Sequence, residues 1–245
     1  RHLLNSGMLP ARGAIYTYMS DSVCIGHRGL IRLELNARGE AIHAGVADWH
    51  NQVRGGNAVT ALAELLLKLE SLHIPAKPPP AFEHLGFTIT PGTIFIGGSF
   101  PSIVPDSASA IVDIRLLPGQ SSTEVLEQIR EQIRAVENNR SRIAFDMKVT
   151  VDIPGALIQQ DHPLALIAQD YTEAMTGRRW ETAGAGPANE GYMLIEAGIP
   201  TLCGFGLTGG NPHAPNEWVQ IDSLPATVAM FAGIVHDYLN LPKGE

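Results

Sequence analysis

Polar and apolar residues alternate over "GLIRLELNARGE". Ile31, Leu33, Leu35 and Ala37 fall on one side of an extended chain, with Arg32, Glu34, Asn36 and Arg38 on the other. That period of two predicts a half-buried β-strand with one wet face. After a loop containing "HAGVADWHNQVRGG" the period lengthens, and in "NAVTALAELLLKLESL" Leu62, Leu65, Leu66 and Leu69 form one helical stripe. The prolines of "IPAKPPPAFEH" end that helix in a loop. Two strands follow, "GFTIT…GTIFIGGS" and "SASAIVDIRLL", the second with Ala110, Val112, Ile114 and Leu116 on one face. A capping box from Ser121 to Glu124 opens the next helix, whose stripe is Val125, Ile129, Ile133 and Val136. "IAFDMKVTVDI" supplies a last strand. Strand, helix, strand, strand, helix, strand is the ferredoxin-like plan, an antiparallel four-stranded sheet with both helices on one face.

From about residue 146 the pattern changes. "HPLALIAQDYTEAM", "ANEGYMLIEAG" and "DSLPATVAMFAGIVHDYLN" read as helices, and the fully apolar "IPTLCGFG" reads as a strand covered on both faces. This alternation predicts an α/β layer, but it offers only one or two strands, too few for a complete sheet. The segment is therefore expected to be part of a domain. No internal repeat, low-complexity tract or heptad pattern interrupts the 245 residues.

Composition narrows the class. With 44% hydrophobic and 17% charged residues the chain is an ordinary globular one. A net charge of -8 and no basic cluster argue against nucleic acid or an acidic membrane as partner. No stretch approaches the length of a membrane span, and no signal peptide is evident. Cys24 and Cys203 lie far apart in apolar runs, so they are expected to be reduced core residues of a cytoplasmic protein. The chain begins at Arg1 without a methionine, and a preceding segment is expected.

The chemistry is concentrated in "GGNPHAPNEWV", residues 209–219, where His213 sits between two prolines. Prolines fix φ and remove donors, so this is a shaped loop. Its histidine is either incidental or a metal ligand, and the loop alone leaves both readings open. A hydrolytic zinc site needs several His, Asp or Glu ligands and an acid/base carboxylate. Neither a His-x-Asp motif, an HExxH motif nor a Glu-Glu pair occurs.

Three separated stretches carry a resemblance: "GHRGLIRLELNARGEAIHAG…GGNAV", "GGSFPSIVPDSASAIVDIRLLPG" and "EAGIPTLCGFGLTGGNPHAPNEWVQIDSL". Together they resemble the M20 family of metallopeptidases and amidohydrolases, which includes acetylornithine deacetylase, succinyl-diaminopimelate desuccinylase, aminoacylase and glutamate carboxypeptidase. The resemblance implies a two-zinc catalytic domain interrupted by a ferredoxin-like lid that makes the homodimer. On this chain it implies a remnant of the catalytic domain and linker over 1–25, the lid over 26–145, and the C-terminal α/β segment of the catalytic domain over 146–245.

Carried over by residue, the resemblance makes His213 the last zinc ligand. His43, in "EAIHAG", would reach the partner subunit's site and support the oxyanion. Arg115 in "VDIR" would grip a substrate carboxylate with its guanidinium fork. Gly209 and Gly210 would let the backbone approach substrate. The residues themselves also allow plainer roles: His43 as a turn cap, Arg115 as a solvated strand residue near Asp113, Glu217 as a ligand-orienting carboxylate or a loop acid. His50, His73, His84, His162 and His236 are expected to be surface or satisfied histidines.

Departures from the family pattern matter. Its N-terminal ligands and Glu-Glu pair are absent, and Tyr18 and Met19 stand where the family has a Glu-Pro. Ser102 replaces the asparagine before "VPD" and could still donate one hydrogen bond to substrate. "GAGPANE", residues 184–190, replaces the Gly-(Ser/Thr)-Asp-Ala motif, leaving Asn189 or Glu190 as alternatives for the aspartate. One histidine does not hold a catalytic zinc, so the chain alone is expected not to complete the site. The implied activity is cleavage of the amide bond of an N-acyl amino acid or small peptide with a free carboxylate. A non-catalytic dimerisation or ligand-binding remnant, or one half of a two-chain enzyme, stands beside it.

Overall fold

The computed structural model describes residues 2–242. After a single helical turn at His2–Asn5 come two short strands, β1 (Ala14–Thr17) and β2 (Val23–His27). β3 (Gly29–Arg38), α1 (Ala58–Glu70), β4 (Thr88–Gly97), β5 (Ser107–Leu116), α2 (Ser122–Asn139) and β6 (Ala144–Ile153) follow. Next are β7 (Ala156–Leu157), α3 (Pro163–Thr176), β8 (Thr182–Ala185) and α4 (Gly191–Glu196). The chain ends through β9 (Thr201–Phe205), β10 (Gly209–Gly210), β11 (Trp218–Val219) and α5 (Leu224–Asn240).

β3 to β6 form an antiparallel sheet in the order β4-β5-β3-β6, the ferredoxin-like topology. Ile31, Leu33 and Leu35 of β3 are fully buried, whereas Arg32, Glu34 and Asn36 between them keep solvent contact. Both helices cover the buried face. Asn57 caps α1 by accepting from the Thr60 amide at 3.0 Å, and Ser121 caps α2 by accepting from the Glu124 amide at 3.3 Å. Leu62, Leu65 and Leu69 of α1 and Ile129 and Val136 of α2 meet the sheet in one core. Each such side chain contributes about 1.5–3 kcal/mol. Pro91 is tolerated inside β4 because the strand lies at the sheet edge and its register slips between Pro91 and Ile94. β6 runs on to Ile153, so the boundary expected at 145/146 falls inside a strand of this sheet.

The second sheet corrects an expectation. Five short strands assemble in the order β1-β9-β2-β7, with β8 also paired to β2, and three of them, β7, β8 and β9, come from the segment expected to offer one or two. Two of them, β1 and β2, precede the lid sheet, in residues expected to be remnant and linker. β1 runs parallel to β9, and β2 runs parallel to β8. Strands of four or five residues carry too few alternations to be read by period, and their partners lie far away in sequence. Leu202 packs in the core with Ala165 and Ala168 of α3 and Met230 of α5. A side chain on Gly191 of α4 would meet the sulfur of Cys203. Successive residues of a strand point to opposite faces, so β9 is covered on both. Cys24 and Cys203 are free and buried, as expected, and burial pushes the Cys203 thiol up to about 12. His162 is a satisfied histidine: it caps α3 by accepting from the Leu164 amide at 3.1 Å.

Two adjacent chain crossings join the sheets. Arg28 alone separates β2 from β3, and Pro154 and Gly155 separate β6 from β7. The proline-rich segment after α1 is a loop as expected, and within it Ala81 and Phe82 are buried.

Candidate active site

His213 sits in a loop clamped at its base by the antiparallel pair β10–β11. Within the loop, the Ala214 amide donates to the Asn211 carbonyl at 3.1 Å and the Glu217 amide to the Ala214 carbonyl at 3.3 Å. Asn211, His213 and Asn216 all adopt left-handed backbone, with φ of 56°, 59° and 62°. Asn and His tolerate this region better than other residues, yet each instance costs of order 1–3 kcal/mol. The side chain of His213 is exposed. The loop is shaped, as its prolines imply, by three left-handed residues besides.

The nearest group to the imidazole is Tyr18. Its hydroxyl lies 3.4 Å from His213 Nε2. Tyr18 arrives there because its amide donates to the Phe205 carbonyl at 3.2 Å, which extends the β1–β9 pairing towards the loop. Tyr18, which the resemblance aligns with the family's glutamate, thus brings a phenol to His213. Glu217 is an exposed loop acid. Among the described residues no group of three His, Cys, Asp or Glu is gathered that would hold a metal ion. The residues present do not fit a metal centre on their own.

Gly209 and Gly210 are also small for a structural reason. A side chain on Gly209 would collide with Met19, and one on Gly210 would stand 2.9 Å from the Trp218 indole nitrogen. Their space is taken by the protein itself.

The 184–190 loop places Asn189 and Glu190 in different surroundings. Both polar atoms of the Asn189 amide are engaged: Nδ2 donates to the Cys203 carbonyl at 2.7 Å and Oδ1 accepts from the Gly191 amide at 2.9 Å. Glu190 instead faces Tyr16 and His27. Burial first, and then the hydrogen bond to Glu190 and its charge, push the Tyr16 hydroxyl upward. His27 is fully buried, with Nδ1 2.8 Å from the Arg28 carbonyl, so Nδ1 carries the proton and donates. Its Nε2 has no hydrogen-bond partner among the described residues, and burial lowers its pKa, which keeps the ring neutral. Sequence reasoning did not single out Tyr16, His27 or Arg28. An arginine between two apolar strands, in "GHRG", was the available signal.

Arg115 projects from the wet face of β5 and is held by Asp113, Nε to Oδ1 at 2.7 Å and Nη2 to Oδ2 at 3.2 Å. Arg32 shares the same carboxylate at 3.1 Å. Asp113 thus fixes the guanidinium in place, and a substrate carboxylate would have to compete with it.

His43 and Ser102 lie together elsewhere. His43 is bridged to Ile103, and the Ala44 amide donates to the Ser102 carbonyl at 2.8 Å. The His43 Nδ1 accepts from the Gly45 amide at 3.0 Å, so the turn-cap role is realised and Nε2 is the nitrogen left to act outward. The register pairs Gly29 with Leu116 at the end of the lid next to the small sheet, and Arg38 with Ser107 at the other end. Nine strand steps separate Gly29 from Arg38, about 30 Å. Arg115 sits at the near end, while His43 and Ser102 follow the far end.

Residues 25–140 match the peptidase dimerisation domain of the M20 family. The chain is homologous to the M20 peptidases and carries their dimerisation domain. It is 27% identical over 223 residues to a succinyl-diaminopimelate desuccinylase of a Methylobacterium species, covering 90% of this chain and 52% of that protein. Among solved structures, a tripeptidase from Staphylococcus aureus superposes with a TM-score of 0.74 at 18% identity, over 96% of this chain and 59% of that one. A dinuclear metal-binding M20 peptidase from Bacillus subtilis gives 0.65 at 15% identity, over 98% and 61%. The chain thus spans about half the length of the curated relatives it matches. The M20 matches cover both sheets, and the fold is common to structures that share few residues with it.

Proposed function

We propose that this chain provides the lid and the C-terminal α/β segment of a zinc-dependent M20-type amidohydrolase or peptidase. The substrate is an N-acyl amino acid or small peptide with a free carboxylate, and the enzyme is a homodimer. The observation that carries the reading is the separation of His43 and Ser102 from the small sheet by the length of the lid. A histidine so placed serves a site on a second copy of the chain, not its own. There its Nε2 donates a hydrogen bond to the oxygen on which negative charge develops as the amide carbonyl is attacked. Arg115, at the near end, exchanges its hold on Asp113 for the substrate carboxylate, which its planar fork matches in two bonds.

A catalytic zinc takes three protein ligands. His213 is the one assigned here, and in the proposed enzyme the others come from polypeptide beyond these residues, in the same or a second chain. The Tyr18 hydroxyl beside His213 favours a second reading, a non-catalytic dimerisation or ligand-binding protein in which a hydrogen bond has replaced the metal.

Metal analysis tests the ligand assignment. After dialysis against zinc and removal of loose ion, the isolated chain is expected to retain well under one zinc per chain and to turn over no N-acyl amino acid. Stoichiometric zinc that disappears in His213→Ala would overturn this, because the missing ligands would then lie within these residues. Combined with the polypeptide carrying the remaining ligands, the chain is expected to gain amidase activity. An inactive assembly would decide for the second reading.

A further inference from the structure

The two sheets are joined by more than their two covalent crossings. Residues 79–86, between α1 and β4, leave the lid, dock on β8 and return. Phe82 lies against Gly184, where any side chain would run into its ring. The Gly184 amide donates to the Ala81 carbonyl at 2.7 Å. Arg28 closes the junction from the other side. Its amide donates to the Ala185 carbonyl at 3.0 Å, its Nε to the Gly186 carbonyl at 3.1 Å and its Nη1 to the Gly86 carbonyl at 3.1 Å. One guanidinium thus holds both the loop after β8 and the end of the docked segment. Its planar fork spans two carbonyls that a single ammonium does not reach with the same geometry.

Arg115 lies next to this junction. It pairs with Leu30 in β3 and with Thr88 in β4. Leu30 is two residues from Arg28, and the Thr88 hydroxyl is 3.4 Å from Arg28 Nη1. Both strand neighbours of Arg115 are therefore tied to Arg28.

We propose that Arg28 is a positioning residue, a latch that with Phe82 fixes the lid on the small sheet and so sets where Arg115 stands against the 184–190 loop. The role given to Arg115 rests on the function proposed above, whereas the latch does not. The half-buried guanidinium also feels the charge of Arg115, offset by Asp113, so the latch and the carboxylate grip share one electrostatic setting.

The experiment uses the full chain, spin-labelled through cysteines placed at Lys148 of the lid and Glu173 of α3. Both positions are exposed, and the native cysteines are buried. Diluted with unlabelled protein so that only intramolecular pairs report, the otherwise unsubstituted chain is expected to give one narrow distance distribution. Arg28→Ala is expected to broaden and shift it, with Arg28→Lys in between. Exchange of the Gly184 amide is expected to rise by about tenfold or more while lid-core amides stay protected, a local opening and not a global one. An unchanged distribution with unchanged Gly184 exchange would overturn the latch. So would a uniform rise in exchange across both sheets, which marks general destabilisation. If Arg28→Ala does not fold, the same two readouts on Arg28→Lys decide. Titration with N-acetylalanine separates the two claims: widened distances with unaltered binding keep the latch and remove the role given to Arg115.

Discussion

Placing two carboxylates on the lid edge, Ile94→Asp together with Ile96→Asp, is expected to convert the proposed homodimer into a monomer at micromolar concentration. β4 is the apolar edge of the lid sheet, with Ile94 57% and Ile96 65% exposed. The opposite edge strand, β6, carries Asp146, Lys148 and Asp152, charges of the kind that keep an edge from pairing. The two edges are thus chemically distinct, and only β4 offers an unpaired backbone ladder beside exposed isoleucines. β4 also leads directly into the segment holding Ser102, so pairing there brings the His43 end of one lid towards a second copy. Burying an unpaired carboxylate costs several kcal/mol after relaxation. Two of them raise the dimer dissociation constant by about a thousandfold or more. Sedimentation velocity reads the mass, and circular dichroism checks that the lid remains folded. A folded dimer in the double variant would move the interface off β4.

Phe205→Ala is the second large effect. Phe205 is fully buried at the end of β9, with the rings of Trp180 and Phe231 each at 5.6 Å. Deleting such a ring leaves a cavity and costs about 3–5 kcal/mol. Against a typical total of about 5–15 kcal/mol, that is enough to unfold the small sheet first. The lid has its own core, built from β3, β5, α1 and α2, so its transition is expected to persist as a separate step in a denaturant titration. The Phe205 carbonyl also receives the Tyr18 amide, and the His213–Tyr18 contact is expected to be lost with it. A single transition displaced by less than about 1 kcal/mol would contradict this division into two cores.

The lid was legible because its signals are local and repeated. The alternation of β3 and the stripes of α1 and α2 run for ten residues or more, and caps such as Ser121 mark where helices begin. β1, β2 and β8 were not legible, because strands of four or five residues carry too few alternations and pair across most of the chain. Phe82 was hidden by its setting, since a proline-rich loop gives no hint that one of its residues plugs another sheet. In the candidate site, His213, His43 and Arg115 were singled out through motif spacing, and the structure adds what spacing does not contain. Tyr18 was noted for what it replaces, not for the histidine it faces. Asn189 and Glu190 were equivalent on paper until hydrogen bonds committed one of them to Cys203 and Gly191. Gly209 and Gly210 were noted for close backbone approach, and the structure adds that Met19 and Trp218 crowd the space a side chain would need.

The sharing of one site between two copies is tested most directly by distance. Chains labelled only at Ala47, beside His43, are mixed with chains labelled only at Asn216, in the His213 loop. The intermolecular distance in that mixture is expected to be shorter than the intramolecular distance in a doubly labelled chain diluted with unlabelled protein. No intermolecular signal at micromolar concentration, or an intermolecular distance longer than the intramolecular one, would contradict a site built across the dimer.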